Sequence, residues 1–455
     1  MSAIIEQPRY TCALGSQQTV LAIPKGIPIV HAGPGCSSKI FQYENLDAGF
    51  QGEGYAGGGA VSCTNTSEQE VVFGGEEKLK ALVRNTFKII KGDLFVILSG
   101  CTAGIVGDDV KQVASQFASQ GKPIVGVDTS GFRGNNYYGH ELVVNEIINQ
   151  FIGDAVPRRR ERLVNVFSVV PNQDPFWRAD LEEIKRLLAK LGLEVNILFG
   201  DGSNGVSEWE DIPNAQFNLI LSPWVCLSTA KLLKEKYGTP YLHYPILPVG
   251  AKATGAFLRT VAEFAGVPKE HAEAVIKEEE KRFYHYLVSL GDFIADLRNN
   301  IPYELYAVAD SAYAIGTSDF LVNELGFIPR GIYATENPSP SGEQRIRKAW
   351  SLAVSDYPDA LSVEADGGMI QADIRAKIGE SNRAVILGST WESRLAAEHN
   401  NLLIHLSLPI ADDVIVNRSF TGYNGGLRLM EEIYSGIFRK GNISQTTQTA
   451  KASQI

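Results

Sequence analysis

The stretch Leu94-Phe95-Val96-Ile97-Leu98-Ser99-Gly100-Cys101 decides the fold, because it joins a continuous apolar run to a short polar turn. Five apolar residues in a row are typical of a parallel strand that helices cover on both faces. Apolar residues at helical spacing occupy 76–91 before it. A second helical segment follows at 108–120, where Asp108 and Asp109 favour the dipole of the first turn. This order of helix, buried strand and helix predicts a βαβ unit.

The same alternation of apolar runs and amphipathic segments continues along the whole chain. We predict further strands at 26–31, 123–127, 163–170, 193–199, 217–221, 304–309, 384–387 and 402–406. The predicted fold class is therefore α/β, with three Rossmann-like doubly wound domains that are built on parallel sheets. The predicted domains are a first α/β domain at 1–155, a second at 156–302 and a third at 303–455, which includes a C-terminal tail.

Charge and hydropathy exclude several classes of protein. The 455 residues carry 42 Lys and Arg against 52 Asp and Glu, a formal net charge of −10, so nucleic acid is not expected as the main partner. The chain contains no stretch of about 18 apolar residues, and no membrane span is predicted. Residues 1–9 lack the charged and apolar regions of a signal peptide, so we expect a cytoplasmic protein.

Cysteine is the residue type with the most informative distribution. An odd number of cysteines in a reducing compartment does not indicate a disulfide framework, which leaves buried thiols, a nucleophile or metal ligands. The five cysteines are Cys12, Cys36, Cys63, Cys101 and Cys226.

Two of these cysteines follow predicted strands directly, each across a glycine-containing turn. Cys36 comes after the strand at 26–31, and Cys101 comes after the strand at 94–98. Ligands of doubly wound sheets bind beyond the carboxyl ends of the strands, so both cysteines are expected at a ligand-binding edge. Cys12 lies in an irregular N-terminal segment that can fold over the same edge.

Three thiolates that converge from separate loops suit an iron–sulfur cluster. Zinc is a poorer fit, because structural zinc sites favour closely spaced cysteine pairs and four ligands. Buried structural thiols are one alternative, and a catalytic pair of Cys36 with His31 is another. Three cysteines also leave a cluster with too few ligands, so a partner chain would have to complete it.

Nucleotide-binding motifs are out of context or missing. The glycine pattern at 52–57 matches G-x-G-x-x-G by letters, but it follows no predicted strand and opens no predicted helix, so we interpret it as a glycine loop. The sequence G-x-x-x-x-G-K-[ST] does not occur, so this chain is not expected to hydrolyse a nucleotide itself.

The N-terminal third resembles the catalytic component of nitrogenase and of nitrogenase-like reductases. The order and approximate spacing of three cysteines fit the family, since Cys36 lies 24 residues after Cys12 and Cys101 lies 65 residues after Cys36. The resemblance rests on Cys12-Ala13-Leu14-Gly15, Val30-His31-Ala32-Gly33-Pro34-Gly35-Cys36, Val71-Val72-Phe73-Gly74-Gly75 and Cys101-x₅-Gly107-Asp108-Asp109.

This resemblance implies a role for each of these residues. Cys12, Cys36 and Cys101 would ligate an 8Fe-7S cluster of the P-cluster type, shared with a homologous partner subunit that supplies three more cysteines. Phe73 would lie at the docking surface for an ATP-hydrolysing iron protein. The enzyme would be an oxidoreductase in which electrons pass from the iron protein through this cluster to a substrate metallocofactor.

The resemblance also indicates which of the two subunits this is. The first domain carries α-type features at 131–134 and 139–140, whereas later motifs at 221–224, 245–250, 405–410 and 422–426 are β-type. Ser222 stands where an α-type subunit would carry the cysteine that holds the substrate cofactor. We therefore expect a β-type subunit in an α2β2 heterotetramer, with the metallocofactor in the α-type partner. Cys63 and Cys226 are interpreted as structural thiols, with a supplementary cluster contact as the alternative for Cys63.

Departures from molybdenum nitrogenase favour another substrate. Cys12 comes close to the start of the chain, and Ser130 is out of register with a β-type serine that can ligate the P-cluster. A methylthio-alkane reductase, which cleaves C–S bonds reductively, is the leading expectation. A dinitrogen-reducing β subunit, a cofactor-assembly scaffold, a tetrapyrrole reductase with a four-iron cluster and an α/β protein with inert thiols are the alternatives.

Overall fold

The structure is a computed structural model that describes residues 5–38, 61–297, 301–379 and 383–452. The glycine loop predicted at 52–57 lies outside these residues. The strands of the described ranges are β1 (Gly26–His31), β2 (Ser62–Cys63), β3 (Leu94–Ser99), β4 (Ile124–Val127), β5 (Arg160–Phe167), β6 (Glu194–Asn196), β7 (Ala215–Ile220), β8 (Tyr241–His243), β9 (Glu304–Ala309), β10 (Ile328–Ala334), β11 (Leu361–Val363), β12 (Ala384–Gly388) and β13 (Leu402–His405).

Helices alternate with these strands. Besides a helical stretch at 34–38, the α-helices of the described ranges are α1 (Gln17–Leu21), α2 (Glu68–Phe73), α3 (Glu76–Ile89), α4 (Cys101–Val106), α5 (Val110–Ala118), α6 (Asn136–Glu146), α7 (Trp177–Lys190), α8 (Val206–Asp211), α9 (Leu227–Tyr237), α10 (Gly250–Ala265), α11 (Lys269–Ser289), α12 (Gly291–Leu297), α13 (Ser311–Asn323), α14 (Pro340–Ala353), α15 (Gly367–Ile378), α16 (Ser393–Glu398) and α17 (Gly422–Ala452). None of these described helices is long and apolar enough to cross a membrane. The predicted C-terminal tail contains the last turns of α17.

The strands form three parallel sheets, which confirms the predicted fold class. The strand orders are β2-β1-β3-β4, β6-β5-β7-β8 and β11-β10-β9-β12-β13. Every strand pair in the described sheets is parallel. Parallel neighbours need crossover connections, and the intervening helices supply them.

The apolar run at 94–98 becomes the buried centre of the first sheet. β3 lies between β1 and β4, with Ile97 opposite Ile29 on one side and Gly126 on the other. Every residue of β3 is buried. Side chains of β1, β3 and β4 pack on one face against α3 and α5, through Ile27, Ile29, Leu79, Val83, Phe95, Ile97, Val110, Val113, Ala114, Phe117 and Ile124.

The helix predicted at about 108–120 is confirmed as α5, which begins two residues later than predicted, and a separate helix that was not predicted precedes it. α4 begins at Cys101 and ends at Val106, and it is capped by Gly107, whose φ of +87° lies in the left-handed region that glycine adopts without strain. Asp109 then caps α5 by accepting a hydrogen bond from the Gln112 backbone N–H. The acidic residues therefore form the joint between two helices.

Contacts divide the chain into two compact units. One unit comprises Tyr10–Pro245 with Leu408–Asn417 and contains the first two sheets, and the other comprises Met1–Arg9, Ile246–Ser407 and Arg418–Ile455 and contains the third. Each sheet falls within one of the three predicted regions, and the boundaries at 155 and 302 stay predictions.

Candidate metal centre

The order in which strands are added to the first sheet reverses between β1 and β3. β2 lies on one side of β1, whereas β3 lies on the other side. In doubly wound sheets, ligands bind outside the strand ends at this kind of reversal. The segments that follow β1 and β3 carry Cys36 and Cys101. The topology therefore places both cysteines at the position where such a sheet binds its ligand.

The turns after β1 and β3 contact each other closely. The Gly100 backbone N–H donates to the His31 carbonyl at 2.9 Å. A Cβ on Gly100 would lie 2.5 Å from the Cβ of Ala32, closer than real carbon atoms approach. Because only glycine fits there, the turn that presents Cys101 can lie directly against the turn that leads to Cys36.

The N-terminal segment brings the third cysteine to the same edge. The Thr11 N–H donates to Asn136 Oδ1 at 3.1 Å, and the Asn136 N–H donates to the Thr11 carbonyl at 3.0 Å. The Ala13 N–H donates to the Gly134 carbonyl at 2.9 Å. These bonds hold Cys12 against the loop that follows β4.

Cys12 and Cys101 flank one small space at this edge. A Cβ on Gly131 would lie 3.0 Å from Cys101 Sγ and 3.3 Å from Cys12 Sγ. The two sulfur atoms are therefore separated by no more than the sum of these distances. A side chain at position 131 would occupy the space between them, so the glycine leaves room for a group that both sulfurs contact.

The three cysteines predicted as ligands are all exposed, and none of the chain's five cysteines forms a disulfide bond. Free cysteine is among the most frequently buried residues, so three exposed thiols at one sheet edge do not fit a packing role. Sulfur donors from separate loops suit an iron–sulfur cluster. Within the described ranges, no group of three or more His, Cys, Asp or Glu side chains is close enough to hold a metal ion. The structure thus brings Cys12 and Cys101 together and places Cys36 in the helical stretch at 34–38 that follows β1.

The other two cysteines have different surroundings. Cys63 ends β2, where its thiol donates to the Ala32 carbonyl at 3.3 Å and accepts from the Asn65 N–H at 3.4 Å. Burial raises the pKa of Cys63 despite these bonds. Cys226 is buried, and burial raises its pKa well above the usual value. Both environments support the interpretation of these residues as structural thiols.

Two further side chains near the edge are engaged elsewhere. Both ring nitrogens of His31 have other partners, Asp108 at 2.9 Å and Thr64 at 3.1 Å, which does not favour a catalytic pair with Cys36. The Ser130 hydroxyl donates to Asp128 Oδ1 at 2.7 Å. Neither side chain therefore adds a donor to the three thiols.

Phe73 lies at the last residue of α2, where 83% of its surface is exposed. Ser67 and Glu70 form a capping box at the start of this helix, with the Ser67 N–H 2.7 Å from the Glu70 carboxylate. Bonds from the Ser67 backbone and side chain lower the pKa of Glu70 to about 2. Gly74 ends the helix with a φ of +88°. α2 packs against α4, so Phe73 belongs to the surface next to the helix of Cys101.

Sequence reasoning missed two exposed apolar residues beside the cysteines. Ile105 lies one turn after Cys101 on α4 and is 76% exposed, and Phe132 follows Gly131 and is 63% exposed. A spacing of four on a helix places residues on one face, and this signal would have identified Ile105. Exposed apolar residues of this size indicate a surface that a partner covers.

Comparison with protein families gives a match that extends over almost the whole chain. The model of the nitrogenase component 1 type oxidoreductases matches residues 11–438. The chain is 23% identical to the nitrogenase molybdenum-iron protein beta chain of Clostridium pasteurianum, over 95% of this chain and 93% of that protein. It is 26% identical to the nitrogenase iron-molybdenum cofactor biosynthesis protein NifE of Methanococcus maripaludis, over 78% of this chain and 70% of that protein.

A solved structure has the same fold. Nitrogenase Cp1 at pH 6.5 superposes with a TM-score of 0.77 and 22% identity, over 97% of this chain and 94% of that one. At this level of identity, the superposition establishes the three-sheet architecture and says nothing about substrate.

Proposed function

We propose that this chain, which belongs to the nitrogenase component 1 type oxidoreductase family, is a β-type subunit. In this role it relays electrons through an iron–sulfur cluster that it shares with a partner chain. Family membership confirms the predicted oxidoreductase class. The proposal assigns Cys12, Cys36 and Cys101 as this chain's ligands to a cluster of the 8Fe-7S type.

The observation that carries the proposal is the set of three exposed thiols at the reversal point of the first sheet. When bound, such a cluster would supply one-electron transfer at a potential set by its ligands and surroundings. The chain's own residues hold the thiols in place through the backbone bonds of Thr11, Ala13 and Gly100. Gly131 keeps the space between Cys12 and Cys101 open.

A second, homologous chain would complete the cluster. Three thiols are too few for an eight-iron group, and exposed thiolates need cover from water and oxidants. The exposed side chains of Ile105 and Phe132 beside the thiols give that chain an apolar surface to bury. Relatives named as beta and alpha chains of molybdenum-iron proteins support an assembly of two kinds of chain, and we propose that it is an α2β2 heterotetramer.

Two further parts of the electron path are the surface that receives electrons before the cluster and the metallocofactor that receives them after it. We assign Phe73 to the surface that docks the ATP-hydrolysing iron protein. We place the substrate metallocofactor in the α-type partner, because position 222 offers a serine rather than a thiol. The buried Ser222 hydroxyl donates to the Val225 carbonyl at 2.8 Å and is not available as a ligand.

The reaction we propose is reductive cleavage of small methylthio-alkanes. For dimethyl sulfide, two electrons and two protons would break one C–S bond and give methanethiol and methane. Reduction of dinitrogen is the alternative within the same electron path. A cofactor-assembly scaffold is the second candidate, and the similarity to a biosynthesis protein favours it.

Anaerobic purification of this chain with its α-type partner, followed by metal analysis, tests the proposal. We expect about eight irons for each shared cluster, and about four would instead favour a tetrapyrrole reductase. With iron protein and ATP, dimethyl sulfide should give methanethiol and methane. Ammonia from dinitrogen would shift the substrate assignment. Absence of all turnover, combined with cluster transfer to an apo-enzyme, would contradict the catalytic role.

A further inference from the structure

A buried hydrogen-bonded unit lies beneath the cysteine edge and has no part in the proposed electron path. His31 Nε2 lies 2.9 Å from Asp108 Oδ2, and His31 Nδ1 lies 3.1 Å from Thr64 Oγ1. Both carboxylate oxygens of Asp108 lie 3.0 Å from the backbone nitrogen of Gly75. Asp108 therefore joins a buried ring to the backbone of a third segment.

The chemistry of these groups determines where the protons are. The carboxylate of Asp108 only accepts, so His31 must donate through Nε2–H. The His31 side chain is fully buried, and this burial lowers its pKa even though Asp108 acts in the opposite direction. A ring that donates through Nε2–H has an acceptor at Nδ1 for the Thr64 hydroxyl, whose single proton is also within reach of the Ala32 carbonyl at 3.2 Å.

Glycine is required where the third segment meets this pair. A Cβ on Gly75 would lie 2.8 Å from His31 Cε1 and 2.9 Å from Asp108 Oδ2. Both contacts are shorter than real Cβ atoms show. The backbone of Gly75 can therefore approach Asp108 closely enough for its N–H to donate.

The three joined segments each lead to a residue of the proposed site. His31 ends β1, five residues before Cys36. Asp108 directly follows Gly107, where the helix that starts at Cys101 ends. Gly75 directly follows Gly74, where the helix that carries Phe73 ends.

We propose that Asp108 and His31 are positioning residues that couple the Phe73 helix to the turns of Cys36 and Cys101. A displacement of α2 would then reach both cysteine turns through one carboxylate. The proposal rests on the proposed function only for what docks at Phe73 and what the thiols hold. The coupling itself belongs to this chain and can be measured in it.

Hydrogen exchange of the full-length chain, followed by mass spectrometry of its peptides, tests the coupling. Asp108→Ala should raise exchange about tenfold or more in three segments together: 68–75, 31–38 and 101–107. Ser67→Ala is the matched control, because it removes the cap of α2 without touching the pair. It should raise exchange in 68–75 alone. If Asp108→Ala changes only 101–107, the coupling does not exist.

Asp108→Asn separates positioning from simple loss of packing. The side-chain carbonyl of the substituted asparagine can still accept from the Gly75 N–H. His31 can change tautomer, so that Nε2 accepts from the new amide and Nδ1–H donates to Thr64. We expect exchange within about threefold of the wild-type chain in all three segments, against tenfold or more for alanine. Equal damage from asparagine and alanine would overturn the proposal.

The same variants distinguish failure of the coupling from failure of the proposed function. In the complex with the α-type partner, Asp108→Ala should weaken iron-protein binding severalfold while the cluster iron is retained. If the complex holds no iron, the proposed function fails, but joint exchange of the three segments would still support the coupling. If iron is present and the segments respond separately, only the coupling fails.

Discussion

The first two sheets share one topology but use their ligand-binding edges differently. Both are four-stranded and parallel, and both reverse between the first and third strands of their regions. At the first edge, the thiols of Cys36 and Cys101 are exposed. At the second edge, Ser222 and Cys226 are buried. The same fold therefore offers an edge in each sheet, and the exposure of sulfur at the first one makes it a candidate metal centre.

The second edge uses its polar atoms internally. The Ser222 hydroxyl donates to the Val225 carbonyl at 2.8 Å, and His243 Nε2 donates to the Ser222 carbonyl at 2.8 Å. Cys226 has a φ of +63° and precedes α9. Buried groups that satisfy each other need no ligand, whereas exposed thiols flanking an open space do not satisfy each other. The comparison teaches that strand-end position identifies candidates and that burial separates them.

The largest effect is expected when a cysteine is removed from the first edge, and the same change at the second edge is its control. Cys101→Ala should abolish most of the iron in the purified complex, because the cluster loses a thiolate. Cys226→Ala should leave the iron unchanged and lower the free energy of unfolding by about 1–2 kcal/mol, as for loss of a small buried group. Iron analysis and thermal denaturation measure both. Equal iron loss in the two variants would show that the two edges do not differ in their role in metal binding.

Alkylation of the metal-free chain should rank the thiols by exposure. Iodoacetamide should modify Cys12, Cys36 and Cys101 at least about tenfold faster than Cys226, whose buried thiol stays protonated. Burial raises the pKa of Cys63, so below that pKa its rate should rise about tenfold for each pH unit. Mass spectrometry of peptides gives each rate. Fast labelling of Cys226 near pH 8 would contradict its buried state.

The sequence predicted those features of the two edges that depend on residues close together in the chain. The buried run at 94–98 predicted β3, and the turn after it predicted the edge position of Cys101. The contact of Cys12 with the same space depends on backbone bonds to Gly134 and Asn136, which are far away in the sequence. Such bonds leave no periodic pattern. The position of Cys12 at this edge could therefore be predicted only from the family resemblance.

Local chemistry also escaped prediction where one residue has two roles. Asp108 was expected to favour a helix dipole, but it lies between two helices and accepts from His31 and Gly75. A carboxylate that follows a glycine fits either description until its partners are known. Burial of Cys226, by contrast, agrees with its interpretation from the sequence as a structural thiol.

Filling the space between two thiols should give the third largest effect. Gly131→Ala places a methyl group 3.0 Å from Cys101 Sγ, so iron content should fall severalfold. The free energy of unfolding should fall by at most about 1–2 kcal/mol, because the site is at the edge of the sheet. Gly35→Ala is the matched control, since a Cβ there meets nothing within 4 Å. Iron analysis of both complexes decides the matter, and similar iron content would argue against a cluster in this space.

The smallest effect is expected at the second edge, where replacement of the Ser222 hydroxyl should leave the iron content unchanged. Ser222→Ala removes the bond to the Val225 carbonyl and should lower the free energy of unfolding by about 1 kcal/mol. Ser222→Cys introduces a thiol at the strand end but leaves it buried. The iron content of the complex with this variant should therefore equal that of the wild-type complex. Chemical denaturation and iron analysis measure the two outcomes. Extra iron in Ser222→Cys would mean that strand-end position is sufficient and that burial does not separate the two edges, because a buried thiol would then bind metal as readily as an exposed one.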